Sequence, residues 1–151
     1  PLNTARIALL SLRNSSCLAT GDQLDEQMLA QALRAEATSP VLIYPRADAA
    51  ILKEGMLPAE TPLLFIDGSW RKSRRLLLQS PLLQSLPCYR LADMPASRYR
   101  IRKEPAPGYQ STLEAIVEVL KLQGASNPEA MLAAMDGMID LQLGYQKSKR
   151  M

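Results

Sequence analysis

The stretch Pro62-Leu63-Leu64-Phe65-Ile66-Asp67-Gly68-Ser69-Trp70 decides how the rest of this chain is read. The apolar run up to Ile66 has the length and flanking signals of a buried strand. It ends on a carboxylate, Asp67, and a glycine follows at once. Ser69 and Trp70 then open a strongly basic helix over 69–79. Ligands of α/β proteins bind at the carboxyl ends of strands. A charged group there, beside Gly68 and the large amphipathic Trp70, points to an enzyme site facing a polyanion.

Upstream, Asn3 or Thr4 caps a first helix through about Arg13, with Ile7, Leu10 and Leu12 partly inward. Ser16 to Thr20 is a short strand candidate, ended by Gly21. Asp25 to Ala37 reads as a helix with Met28, Leu29 and Leu33 apolar, and Val41-Leu42-Ile43-Tyr44 as a strand closed by Pro45. Residues 46–61 form a crossover with a weak helix over 49–54.

Downstream, Pro81 to Leu86 is a short helix or turn and Cys88 to Leu91 a further strand. Arg98, Arg100 and Arg102 alternate with Tyr99 and Ile101, as on the two faces of a strand. Residues 104–108 read as a loop. Leu113, Ile116, Val117 and Leu120 give a helix over 112–123 its core-facing stripe. Asn127-Pro128 starts a last helix, in which Met131, Met135 and Met138 read as core packing. Short strands alternating with helices predict an α/β fold, a mainly parallel sheet with helices on both faces, in a single domain over 1–151.

The 151 residues suffice for one domain with a real core, and 47% are hydrophobic, which excludes general disorder. No apolar run is long enough to span a membrane, and Pro1-Leu2-Asn3-Thr4 has no signal-peptide pattern. Cys17 and Cys88 match no metal-ligand spacing, and two lone thiols without a secretory signal suggest a reducing, cytoplasmic setting. The chain has no histidine. Histidine-based triads, Cys-His pairs and His-ligated zinc are thereby excluded within it. Proton transfer falls to Asp, Glu, Tyr, Lys or the substrate.

Charge is segregated. Nine basic residues against one acid between Arg71 and Lys103 give that stretch +8, and the other nine basic and fourteen acidic residues sum to −5. Such asymmetry favours a phosphate-binding face. Arg71, Lys72, Arg74 and Arg75 can be a solvated helix face. Arg98, Arg100, Arg102 and Lys103 on one strand repel each other unless an anion, a phosphate backbone or a ligand carboxylate, lies across them.

Two patterns carry both a structural and a functional reading. Asp67 or Ser69 can be an ordinary helix cap, with Trp70 a core anchor. Equally, Asp67 can accept a proton or orient an amine or imide N–H, and Trp70 can stack on a base. Ser111-Thr112-Leu113-Glu114 is a capping box by pattern, and the free N–H groups of that helix can also cradle a carboxylate.

Asp67-x-Ser69-Trp70, then Ser97-Arg98-Tyr99-Arg100-Ile101-Arg102-Lys103-Glu104-Pro105, then Ser111-Thr112-x-Glu114-Ala115, in this order, resemble the DTW-domain proteins. Asn3-Thr4-Ala5-Arg6 resembles the family's N-T-G-R element, with Ala5 in place of glycine. Ile43-Tyr44-Pro45 is similar to its strand ending in Tyr-Pro. The resemblance implies a tRNA-uridine aminocarboxypropyltransferase related to the SPOUT enzymes, moving the 3-amino-3-carboxypropyl group of S-adenosyl-L-methionine to N3 of a tRNA uridine. It also implies a SPOUT-like fold with a C-terminal trefoil knot holding the cofactor, which sequence physics alone does not propose. Bacterial members carry an N-terminal cysteine cluster expected to bind zinc and a following His-Pro-x-Glu element. Neither stands in this chain, so the expectation is a catalytic domain lacking the zinc segment.

By the same resemblance Asp67, Ser69 and Trp70 are the catalytic set. Tyr44, Pro45, Ile66, Asp67, Arg100, Lys103, Ser111, Thr112 and Glu114 hold the cofactor. Arg71, Lys72, Arg74, Arg75, Arg98 and Arg102 track the RNA, and no metal is needed. The expected partner is tRNA, with no membrane, as a monomer or homodimer. A SPOUT-type methyltransferase and a non-catalytic RNA-binding module are the competing readings. The mass added to tRNA separates the first, and the effect of Asp67→Ala separates the second.

Overall fold

The computed structural model describes residues 4–21, 23–92 and 111–149. The chain divides into two units, one of residues 16–92 and one of residues 1–15 with 93–151.

The first unit holds the sheet. Its elements are α2 (Glu26–Arg34), β1 (Val41–Ile43), β2 (Ala50–Ile51), β3 (Leu63–Phe65), α3 (Trp70–Gln79), α4 (Pro81–Ser85) and β4 (Cys88–Arg90). Helix α1 (Thr4–Ser11) lies in the other unit. The four strands pair in the order β2-β4-β1-β3, all parallel. The expected parallel sheet is therefore present. Its register sets Ile43 beside Phe65 on one side and Tyr89 on the other. Hydrogen bonds continue past the strand ends, from Tyr44 N–H to Tyr89 O at 3.0 Å and from Leu52 N–H to Arg90 O at 2.8 Å.

Residues 41–44 are all buried, as befits a central parallel strand shielded on both faces. With period two, Leu42 and Tyr44 share a face with Leu64, Ile66 and Cys88. Those residues join Leu29 and Leu33 of α2, Leu77 and Trp70 of α3 and Leu82 and Leu83 of α4 in one hydrophobic cluster. Burying a Leu side chain is worth about 1.5–3 kcal/mol, so this cluster fixes where α3 starts relative to the end of β3.

The second unit packs α1 (Thr4–Ser11), α5 (Thr112–Leu122) and α6 (Ala130–Lys149) on one another. Leu113, Ile116 and Val117 are buried on the expected stripe, and Met131 and Met135 are core residues, while Met138 is half-buried.

Four readings of the sequence need correction. Residues 16–20 are irregular backbone and not a strand; only Leu18 reaches the core cluster. The weak helix over 49–54 is replaced by β2, because β4 offers Ala50 and Ile51 a pairing edge and tertiary context overrides their helix propensity. Ile7 and Leu12 are partly buried as expected, but Leu10 is 80% exposed, and the buried residues of α1 are Thr4 and Ala8, whose small side chains permit close helix packing. Helix α2 stops at Arg34, short of Ala37. Among the described residues no helix is long and apolar enough to cross a membrane. The arginine-rich strand expected at 98–103 and the loop expected at 104–108 lie outside the described residues.

Candidate active site

Asp67 stands two residues beyond the end of β3, half-buried, at the carboxyl edge of the sheet. The backbone turns immediately after it. Gly68 has φ +152°, a conformation L side chains rarely adopt, and the nearest atoms a Cβ there would meet belong to the Lys72 side chain, at 3.5 Å and beyond. The turn, and not lack of space, is what requires glycine.

Ser69 then caps α3. Its Oγ accepts the Lys72 N–H at 3.2 Å. Of the two side chains that the sequence offered for this job, the N-cap position falls to the serine. Trp70 is the first helical residue. Its ring lies nearly parallel to that of Tyr44, with centroids 5.8 Å apart and planes 7° from parallel. The indole therefore anchors on the core through Tyr44, and one of its two faces is already covered.

Tyr44 is itself tightly held. Its phenol oxygen lies 3.4 Å from Ser73 Oγ, and its carbonyl accepts from Arg46 N–H at 2.8 Å and Cys88 Sγ at 3.7 Å. The Arg46 bond closes a three-residue turn around exposed Pro45. Arg46 Nε in turn donates to Asp48 Oδ1 at 2.6 Å. That bond holds the Asp48 carboxyl below its usual range and raises Arg46 further. On β4, Arg90 Nε donates to Ala49 O at 3.1 Å. Burial pushes the Cys88 thiol above its ordinary value, with the positive Arg46 working against that rise.

Helix α3 separates its residues by face. Ser73, Leu76 and Leu77 are buried, and Arg71, Arg74 and Arg75 are exposed at i, i+3 and i+4. Lys72 leaves that row: it is half-buried and its Nζ donates to Thr20 O at 3.4 Å. An open groove of about 770 Å³ between α2 and α4, lined by Glu26, Gln27, Ala30, Gln31, Arg34, Pro81 and Leu82, contains none of the motif residues.

The family model of the DTW domain matches residues 1–143. This chain belongs to the DTW-domain family. A relative from Drosophila melanogaster, tRNA-uridine aminocarboxypropyltransferase 2, is 31% identical over 132 residues, which cover 85% of this chain and 52% of the relative. The chain thus spans about half the length of that curated relative. No solved structure matches it.

With the DTW motif placed, the remaining site residues can be located. Tyr44, Pro45, Ile66, Asp67, Ser69 and Trp70 gather at the carboxyl edge of β1 and β3 within one unit. Ser111, Thr112 and Glu114 begin α5 in the other unit. The capping box is fully formed there: Ser111 N–H donates to Glu114 Oε2 at 2.8 Å, and Glu114 N–H to Ser111 Oγ at 3.3 Å. Glu114 is 5% exposed. Arg98, Arg100, Arg102 and Lys103 lie outside the described residues. Among the described residues no cluster of three His, Cys, Asp or Glu could hold a metal ion.

Sequence reasoning missed the Tyr44–Trp70 stack and the Ser73 contact. The usable signal was a polar residue, Ser73, one turn from Trp70 on the apolar side of α3. It also missed the Arg46–Asp48 pair, for which Arg46 two residues after Tyr44 was the only cue.

Proposed function

We propose that this chain transfers the 3-amino-3-carboxypropyl group of S-adenosyl-L-methionine to N3 of a uridine in tRNA, as a cytoplasmic DTW catalytic domain with a SPOUT-like knot. The observation that carries the reading is the DTW motif at the carboxyl end of a parallel strand, with Ser69 and Trp70 in structural posts and Asp67 standing at the sheet edge. The name of the Drosophila relative supports the same activity.

The residues suit the donor. A carboxylate at the edge of the sheet matches an amino-acid ammonium or an imide N–H, and an aromatic pair matches a purine-containing ligand. When bound, S-adenosyl-L-methionine supplies an electrophilic carbon on a sulfonium leaving group. In the transfer the N3–C bond would form as the C–S bond breaks with its electron pair going to sulfur, and the N3 proton would leave. Asp67 takes or orients that proton, and Trp70 on Tyr44 walls the pocket. Arg71, Arg74 and Arg75 align the RNA backbone. The remaining cofactor contacts, Arg100, Lys103, Ser111, Thr112 and Glu114, follow the family motifs. With the nucleophile held against a good leaving group, positioning is the main contribution of the protein.

The test is a titration of the chain with S-adenosyl-L-methionine, followed by mass spectrometry of nucleosides from tRNA incubated with both. An aminocarboxypropyl uridine is the expected product. A methyl group instead, or an Asp67→Ala chain that modifies tRNA as well as the wild type does, overturns the proposal.

A further inference from the structure

Ser73 sits on the buried face of α3 at 5% exposure, between Trp70 and the core leucines Leu76 and Leu77. Serine is a poorer helix former than alanine, and helix formation alone gives no reason for a hydroxyl there. Its oxygen lies 3.1 Å from the Trp70 carbonyl and 3.4 Å from the Tyr44 phenol oxygen. A serine hydroxyl has one proton and a carbonyl can only accept. Ser73 therefore donates to Trp70 O, and the Tyr44 phenol donates to Ser73 Oγ. The second link is long for an O–H···O bond. The chain of contacts closes on itself, because the Tyr44 ring stacks on the Trp70 ring at 7°.

We infer that Ser73 is a positioning residue: through the Tyr44 phenol it fixes the plane of the Trp70 indole, and so the shape of the pocket that receives the planar heteroaromatic part of the donor. The inference deepens the transfer reading and rests on it for the identity of the ligand. Tyr44 is fixed at its backbone by the Tyr89 carbonyl and by Arg46 and Cys88. The phenol tether to Ser73 adds a restraint at the far end of its ring. With both ends held, the ring is a rigid wall, and the indole stacked on it is set before any ligand arrives. Preorganisation of this kind improves affinity by removing the cost of ordering the ring on binding.

The chain has a single tryptophan, so its fluorescence reports on this one ring. Ser73→Ala, Tyr44→Phe and the double variant are compared with wild type by tryptophan anisotropy, acrylamide quenching, urea unfolding and titration with S-adenosyl-L-methionine. Either single variant is expected to free the indole and weaken binding about 3- to 10-fold. The double variant removes both ends of the Ser73–Tyr44 link, so its loss of stability is expected to be smaller than the sum of the two single losses. It does not regain the rigid indole or the affinity. Ser73→Thr keeps the hydroxyl and is expected to restore both. Affinity that simply follows stability across the series overturns the inference, as does a Ser73→Ala chain with wild-type anisotropy and affinity; both leave the transfer reading standing. A wild-type chain that binds no S-adenosyl-L-methionine overturns the transfer reading instead, and the anisotropy series then decides alone whether Ser73 sets the ring.

Discussion

The rings of Tyr44 and Trp70 lie face to face, 5.8 Å between centroids, so the end of β1 and the start of α3 are joined by a stacked aromatic pair. This pair explains why the tryptophan of the motif follows the capping serine directly. As the first residue of α3 it points back onto the strand that neighbours β3. Truncation to alanine removes the stack and opens a void beside the core cluster. Complete burial of a tryptophan gives losses of about 3–5 kcal/mol; Trp70 is only half-buried, and Trp70→Ala is expected to cost about 2 kcal/mol. Trp70→Phe keeps the stack and should cost less than half as much in urea unfolding.

Gly68 should be intolerant of change for a reason separate from crowding. Its φ of +152° strains any residue with a Cβ, although the nearest atom is a flexible Lys72 methylene at 3.5 Å. Gly68→Ala is expected to destabilise the protein by about 1–2 kcal/mol and to swing Asp67 out of place. Thermal unfolding gives the first effect. A loss of transfer larger than the stability change explains gives the second.

Asp67 offers the opposite combination. It is half-buried at a strand end, and Ser69 is the N-cap of α3, so Asp67→Asn, which keeps the size and shape of the side chain, should cost about 1 kcal/mol of unfolding free energy. Transfer to tRNA should fall by about 100-fold or more if the carboxylate handles the N3 proton. A fall in affinity for S-adenosyl-L-methionine, with the single-turnover rate unchanged, would instead assign Asp67 to the donor's ammonium group.

How much of this was legible beforehand depended on whether local chemistry or tertiary partners decided the outcome. The Val41–Ile43 and Leu63–Phe65 strands were read correctly because continuous apolar runs between breakers have few other uses. The Ser111 capping box followed from two residues three apart. Strand β2 was not legible. Two exposed residues, Ala50 and Ile51, become a strand only because Tyr89 and Arg90, some forty residues later, run alongside. The Tyr44–Trp70 stack was hidden for the same reason, since the register that brings those rings together is set by pairing of β1 with β3. Lys72 shows the limit of reading charge by count: a basic residue inside a basic run is turned to a backbone carbonyl at Thr20.

That difference within the basic run predicts unequal effects. Arg71 and Arg74 are exposed, one turn apart on α3. Reversing both to glutamate should weaken tRNA binding and flatten its dependence on salt, by about 0.7–0.9 in the log–log slope for each phosphate no longer neutralised. Lys72→Ala should instead act mainly on stability, with a smaller change in that slope. Filter binding across a salt series measures both.

The two thiols should separate sharply. Cys17 is exposed, while Cys88 is partly buried beneath Tyr44 with its Sγ 3.7 Å from the Tyr44 carbonyl. Burial raises the Cys88 pKa, so at neutral pH less of it is the reactive thiolate. Iodoacetamide should label Cys17 first and Cys88 only slowly, with both labelled at similar rates in denaturant. The linkage sign follows from the same shift. A thiol whose folded pKa is raised holds its proton in the native state after the unfolded chain has lost it, so stability should be constant below the unfolded pKa and fall as pH climbs above it. Cys88→Ser or Cys88→Ala should remove that alkaline decline, and urea unfolding across alkaline pH reads it directly. Equal labelling of the two thiols in the native chain would show that the edge of the sheet over Cys88 opens freely, which is incompatible with a rigid Tyr44.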